Sequence, residues 1–124
     1  MKQLLLVFVG GGFGSVLRYL IGKQFNTDSF NFAWGTFCVN LIGSFVIGFI
    51  FGYILIKNKI SNEVFVFLVG GFCGGFTTFS TFANESLSYL RSGQTRLFLL
   101  YVLSSIILGL FCVWFGYFVS TKFI

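Results

Sequence analysis

The residues of this chain able to do chemistry are few, and most gather in one stretch: Val69-Gly70-Gly71-Phe72-Cys73-Gly74-Gly75-Phe76-Thr77-Thr78-Phe79-Ser80-Thr81-Phe82. Glycine weakens a helix by about 1 kcal/mol per residue. Threonine and serine hydroxyls compete for backbone carbonyls. The composition predicts a helix broken near Gly74 to Thr78; the alternative is a continuous helix whose glycines serve packing. Inside a membrane, non-helical backbone must be buried in protein or line a cavity, and carbonyls freed by a break can hold a cation. Phe76, Phe79 and Phe82, three apart, share a helix face. Among 20 phenylalanines a lipid-facing or core stripe is the ordinary reading. The sharper one uses the aromatic quadrupole, whose positive edge suits a small anion.

Other polar groups sit alone in apolar surroundings. Asn40, in Gly35-Thr36-Phe37-Cys38-Val39-Asn40-Leu41-Ile42-Gly43-Ser44, carries a double N–H donor. An amide in a membrane span is costly unless bonded, which leaves an anion-facing donor or an interhelical bond as its two readings. Tyr101, Ser104 and Ser105 add hydroxyls farther on; they continue a donor path or bond back to their own helix. Arg18 and Glu85, near span ends, can draw ions in, pair, or snorkel. There is no His, and the acids are Asp28, Glu63 and Glu85, so the usual metal-site constellations are absent. Cys38, Cys73 and Cys112, an odd and widely spaced set, read as small hydrophobes and not as a disulfide framework. No nucleophile, base or metal set points to an enzyme.

These residues need elements to position them, and the composition says what kind. Of 124 residues, 56% are hydrophobic and 9% charged, against roughly 25% charged in soluble domains. A chain this small cannot hide so much apolar surface in its own core, so its solvent is lipid. A net charge of +5 without a basic run excludes nucleic-acid binding. A membrane crossing takes roughly 20 apolar residues, and four stretches qualify: 4–22, 32–56, 64–90 (interrupted) and 97–119. Together they form one all-α membrane domain. Met1-Lys2 and the following apolar run imitate a signal peptide, but no small-residue cleavage site follows, so the run is read as a retained first span. Trp34, Tyr53, Tyr89, Trp114 and Tyr117 lie toward span ends, as an aromatic belt would. Gly10 with Gly14, Gly48 with Gly52, Gly70 with Gly74, Gly71 with Gly75, and Ser105 with Gly109 are small-xxx-small pairs that permit close helix approach.

With four spans, Lys2, Lys57, Lys59 and Lys122 fall on one side and Arg18, Lys23, Arg91 and Arg96 on the other. The positive-inside rule then gives no orientation. One reading is an antiparallel, dual-topology homodimer; the other is a single topology decided by one charge or by a partner.

Three blocks resemble the Fluc (CrcB) family of fluoride channels. They are Gly10-Gly11-Gly12-Phe13-Gly14-Ser15-Val16-Leu17-Arg18-Tyr19, the Gly35-Thr36 to Val39-Asn40 segment with Gly43, and, most specifically, Gly74 to Phe82. Their order and spacing and the chain length agree with the family, so the resemblance spans essentially the whole chain. It implies an antiparallel homodimer in the inner (plasma) membrane, with two pores that passively conduct fluoride out of the cytoplasm. It further implies that Phe79 and Phe82 meet fluoride with their ring edges and that Asn40 lines the pore as a donor. Gly74 and Thr77 would offer carbonyls to one structural sodium ion at the dimer centre. Thr78 and Ser80 would lie beside the pore, Tyr101 and Ser105 on a fourth-span polar track, and Arg18 in a vestibular or structural position. The track departs from the family pattern at Gly109 and Phe111. Two other classes compete: a small multidrug-type proton-coupled exporter, which needs a first-span carboxylate this chain lacks, and a non-transporting membrane subunit, which leaves Asn40 and the glycine–hydroxyl stretch without a reason.

Overall fold

Where water is absent, a backbone must satisfy its own hydrogen bonds, and long apolar runs therefore coil into helices. The computed structural model describes residues 1–25, 32–57 and 60–123; Asp28 and Lys59, used above as an acid and in the charge count, lie outside them. Helix α1 spans Lys2–Phe25 and α2 Trp34–Lys57. The third crossing opens with α3, Asn62–Phe65, capped by Ser61, whose hydroxyl accepts the Val64 N–H at 3.3 Å. It widens into a π-helical segment, Val66–Cys73, and ends in one further turn, α4, Gly74–Phe76. Thr77 (φ −78°, ψ 156°) and Thr78 (φ −148°, ψ 115°) are extended. Helix α5, Phe79–Arg91, follows, then a turn through Gly93 at φ 75°, then α6, Thr95–Phe123. Four helical stretches, Lys2–Phe25, Trp34–Ile56, Asn62–Arg91 and Thr95–Phe123, are long and apolar enough to cross a membrane, and the described residues contain no strand. The protein is a multi-pass, all-helical membrane protein.

The helices associate as two pairs. Helix α2 lies along α6, and α1 lies along the π segment and α4. Glycine makes both contacts close enough for backbone to meet backbone. A Cβ added to Gly48 would strike the Val113 carbonyl of α6, and one added to Gly116 would strike the Phe45 carbonyl of α2. In the other pair, a Cβ on Gly14 would meet the Phe72 carbonyl and one on Gly75 the Gly11 backbone. With no hydrophobic drive between helices in lipid, this close packing is what holds them together. The Gly70 and Gly74 pair behaves differently: both residues are exposed, with no such contact.

A small aromatic core joins the two pairs at one end. Tyr101 is 0% exposed and packs with Ala33, Phe37 and Tyr89, with Phe32 and Phe82 against it. Rings meet edge to face: Phe32 with Tyr101 at 5.2 Å, Tyr89 with Tyr101 at 5.5 Å. This corrects the placing of Tyr89 in an aromatic belt. It lies three residues before the turn, but its face of α5 points at α6, so it is buried. Trp34 and Trp114 stay exposed. Much of α1 and α6 presents leucine, isoleucine and phenylalanine outward, as a surface meeting lipid or another apolar face would.

Candidate functional site

The extended pair Thr77–Thr78 organises the site, because it interrupts the regular i→i+4 ladder. Each backbone group the break strands is met from a neighbouring helix or a nearby side chain, or is left available. The Thr77 N–H and hydroxyl both return to the Cys73 carbonyl, at 3.0 and 2.8 Å. The Gly75 carbonyl is capped from α1: Arg18 Nε donates to it at 3.0 Å and Ser15 Oγ at 3.4 Å. The Thr78 N–H, which would have closed a turn on Gly74, donates instead to Asn40 Oδ1 at 2.8 Å. Asn40 Nδ2 donates in return to the Thr78 carbonyl at 3.1 Å. The Thr81 N–H, which would have closed on Thr77, is taken by the Thr78 hydroxyl at 3.2 Å, and that side chain caps α5. The ordinary donors of the Gly74 and Thr77 carbonyls, the Thr78 and Thr81 N–H groups, have therefore been drawn elsewhere.

Asn40 and Thr78 form a wall between two cavities. On one side, about 420 Å³ is lined by Asn40, Ser44, Thr77, Phe79, Phe82 and Ser105, among others. Phe79 is 80% exposed, and its ring centroid lies 5.9 Å from that of Phe82. One Nδ2 proton of Asn40 bonds Thr78, and the other has no partner among the described residues. On the other side, about 390 Å³ is lined by Arg18, Lys23, Thr36, Thr78 and Thr81, a setting that favours anions.

The sequence-derived residues thus fall into groups. Asn40, Phe79, Phe82, Ser105, Gly74 and Thr77 line one cavity; Arg18 and Thr78 line the other. Ser80 is exposed, its oxygen 3.4 Å from the Thr78 hydroxyl. Tyr101 and Glu85 stand together: the phenol donates to Glu85 Oε2 at 2.6 Å, and Thr36 Oγ1 donates to Oε1 at 2.7 Å. Two hydroxyl donors therefore cover the carboxylate. Glu85 and Arg18, offered above as possible partners, each bond elsewhere. Ser104 returns its hydroxyl to the Tyr101 carbonyl at 3.3 Å, the self-bonded reading. Thr36 and Ser15 were not singled out from sequence; the four-residue spacing of Thr36, Asn40 and Ser44 along α2 is the signal that marks the first.

Comparison with known proteins adds a family. The model of the family described as CrcB-like protein, Camphor Resistance (CrcB), matches residues 5–117. A Bacteroides fragilis protein named fluoride-specific ion channel FluC is 47% identical over 127 residues, covering 99% of both chains. Proteins of the same name from Phocaeicola vulgatus (47% identity, 97% of this chain and 99% of the other) and Aquifex aeolicus (43% identity, 90% of each) are also similar.

Proposed function

The chain belongs to the CrcB-like family, and on that premise we propose that it is a fluoride channel: a passive, fluoride-selective conductor in the inner membrane that lowers cytoplasmic fluoride. The observation that carries the reading is the interrupted third crossing held open by Asn40. Its two ends have opposite polarity. The carbonyl-rich end of α4 suits a cation, and the N-terminus of α5 suits an anion. Phe79 and Phe82 flank the cavity beside it, with ring edges that favour a small anion without a fixed charge. Arg18 and Lys23 on the far side of the wall raise the local anion concentration. Thr78 and Ser80 lie at the α5 end of the break, and Tyr101 and Ser105 continue along α6. Covered by Thr36 and Tyr101, Glu85 presents no bare carboxylate to the path.

The functional unit in this proposal is an antiparallel, dual-topology homodimer with two pores. Phe79, Gly70 and Gly74 are exposed on the open face of the break, a face that a second copy would close. A sodium ion fits there: the Gly74 and Thr77 carbonyls have lost their helical donors, and hard oxygen ligands suit that cation. When bound, the ion supplies fixed positive charge at the dimer centre, which offsets the cost of holding fluoride nearby in a low dielectric. The exporter reading finds no support, since α1 carries no acid.

The test is anion efflux from liposomes holding the purified protein, followed with fluoride and chloride electrodes and with sodium present. Fast fluoride loss with negligible chloride loss, impaired by Phe79→Ile and Phe82→Ile, is the expected result. Folded protein that releases no fluoride would refute the channel. Labelling of single-cysteine variants from both sides of the membrane tests dual topology; a terminus reachable from one side alone defeats it.

A further inference from the structure

We propose that Ser44 on α2 supplies the hydroxyl donor that α6 lacks at Gly109, so that the anion path beyond Asn40 is carried by α2. The inference rests on the channel reading above and adds a residue to it. Ser44 lies one turn along α2 from Asn40, on the same face, and both line the 420 Å³ cavity with Phe79 and Ser105. It also stands directly against the gap: a Cβ built on Gly109 meets Ser44 Oγ at 3.9 Å, and that oxygen is its one neighbour within contact distance.

The state of the hydroxyl separates Ser44 from the other helical serines. Ser86 donates to the Phe82 carbonyl, Ser88 to Asn84 and Ser104 to Tyr101, as serine in a helix commonly does. Ser44 makes no hydrogen bond among the described residues, and its oxygen is not sealed off. Ser105 Oγ and Ser120 Oγ also lack partners, but both are fully covered. Of the two serines at this cavity, Ser44 is the one whose proton is available. The second amide proton of Asn40 and the Ser44 hydroxyl thus form a two-step donor ladder roughly 5–6 Å apart, the spacing of i,i+4 neighbours. An ion leaving Asn40 reaches its next donor without crossing to α6.

The experiment compares fluoride efflux from liposomes for the unmodified chain, Ser44→Ala, Ser44→Cys, Ser88→Ala, and Ser44→Ala combined with Gly109→Ser. Each protein is first checked for a single elution peak. The expected result is a loss of at least tenfold for Ser44→Ala and for Ser44→Cys, which keeps the volume but donates weakly. Ser88→Ala, whose hydroxyl is bonded to the Asn84 carbonyl outside both cavities, should lose less than threefold. Gly109→Ser should restore most of the rate in the Ser44→Ala background, because it returns a hydroxyl to the same level from the opposite helix. A purely structural role for Ser44 would not be rescued from α6. Unchanged flux in Ser44→Ala, or no rescue by Gly109→Ser, overturns the inference while leaving the channel standing. An unmodified chain that passes no fluoride overturns both.

Discussion

Replacing Asn40 by aspartate is the sharpest perturbation the site allows, because it alters one donor and almost no shape. Asn40→Asp keeps an oxygen to accept the Thr78 N–H, now bonded at 2.8 Å. It replaces the Nδ2 donor with an oxygen facing the Thr78 carbonyl, now 3.1 Å away. Thr78 is only 8% exposed, so that carbonyl is left without a donor at a cost of about 1–3 kcal/mol. The new negative charge also lies on the cavity wall. At a separation of about 6 Å and an effective dielectric constant of about 20, it repels an anion by about 3 kcal/mol, roughly a hundredfold in rate. Asn40→Leu provides the contrast. It adds no charge but strands both the N–H and the carbonyl of Thr78, about 2–6 kcal/mol of stability in all. Fluoride efflux and unfolding by detergent titration, measured on both variants, separate the two effects. Asn40→Asp should lose at least a hundredfold in flux with a modest shift in unfolding, and Asn40→Leu should unfold much earlier. Flux within threefold for Asn40→Asp, or unaltered stability for Asn40→Leu, would refute the bridging role of Asn40.

Three further outcomes are expected. Gly75→Ala forces a methyl into the Gly11 backbone and should cost about 1–3 kcal/mol by overpacking, read as earlier unfolding in the same titration. Tyr101→Phe removes the 2.6 Å donor to Glu85 and should cost about 1.5–3 kcal/mol, the range for a charge-assisted bond; an unshifted unfolding midpoint would show that this bond contributes nothing. Lys2→Ala and Glu63→Ala break an ion pair whose side chains are 73% and 53% exposed, and an exposed pair is worth little. A double-mutant cycle should return a coupling near zero, falling further as salt is added.

The four crossings were legible because each is a predominantly apolar stretch long enough for a bilayer, a property of composition and length. The ends were less so: α1 and α6 extend past their apolar runs to Phe25 and Phe123, since helical hydrogen bonding continues into polar residues at no cost. The small-xxx-small spacing identified surfaces of close approach but not their partners; that α2 meets α6 while α1 meets the third crossing depends on which faces are free to pair. The π-helical widening over Val66–Cys73 left no trace in the sequence, for an apolar run with two glycines fits either helix. Asn40 was visible as a polar residue in an unfavourable place. Its pairing with both backbone groups of Thr78 was not, because it depends on a chain segment 38 positions away. Ser44 was equally visible as a letter, but its unused hydroxyl is a fact of three-dimensional neighbours.

The division into two helix pairs also bears on how the protein is made. A ribosome releases the chain from its N-terminus, so α1 and the third crossing are complete while α6 is still being synthesised. The Arg18 and Ser15 bonds to Gly75 and the Asn40 bridge to Thr78 all join segments that precede α6. The extended threonines can therefore be locked before the last crossing is inserted. Helix α2 has its glycine face, Gly48 and Gly52, waiting for Val113 and Tyr117, near the end of the chain. Closure of α6 along α2 then comes after the break has been locked. Truncation just before α6 would leave a protein with its break intact and one helix surface with nothing to grip, a natural substrate for membrane quality control.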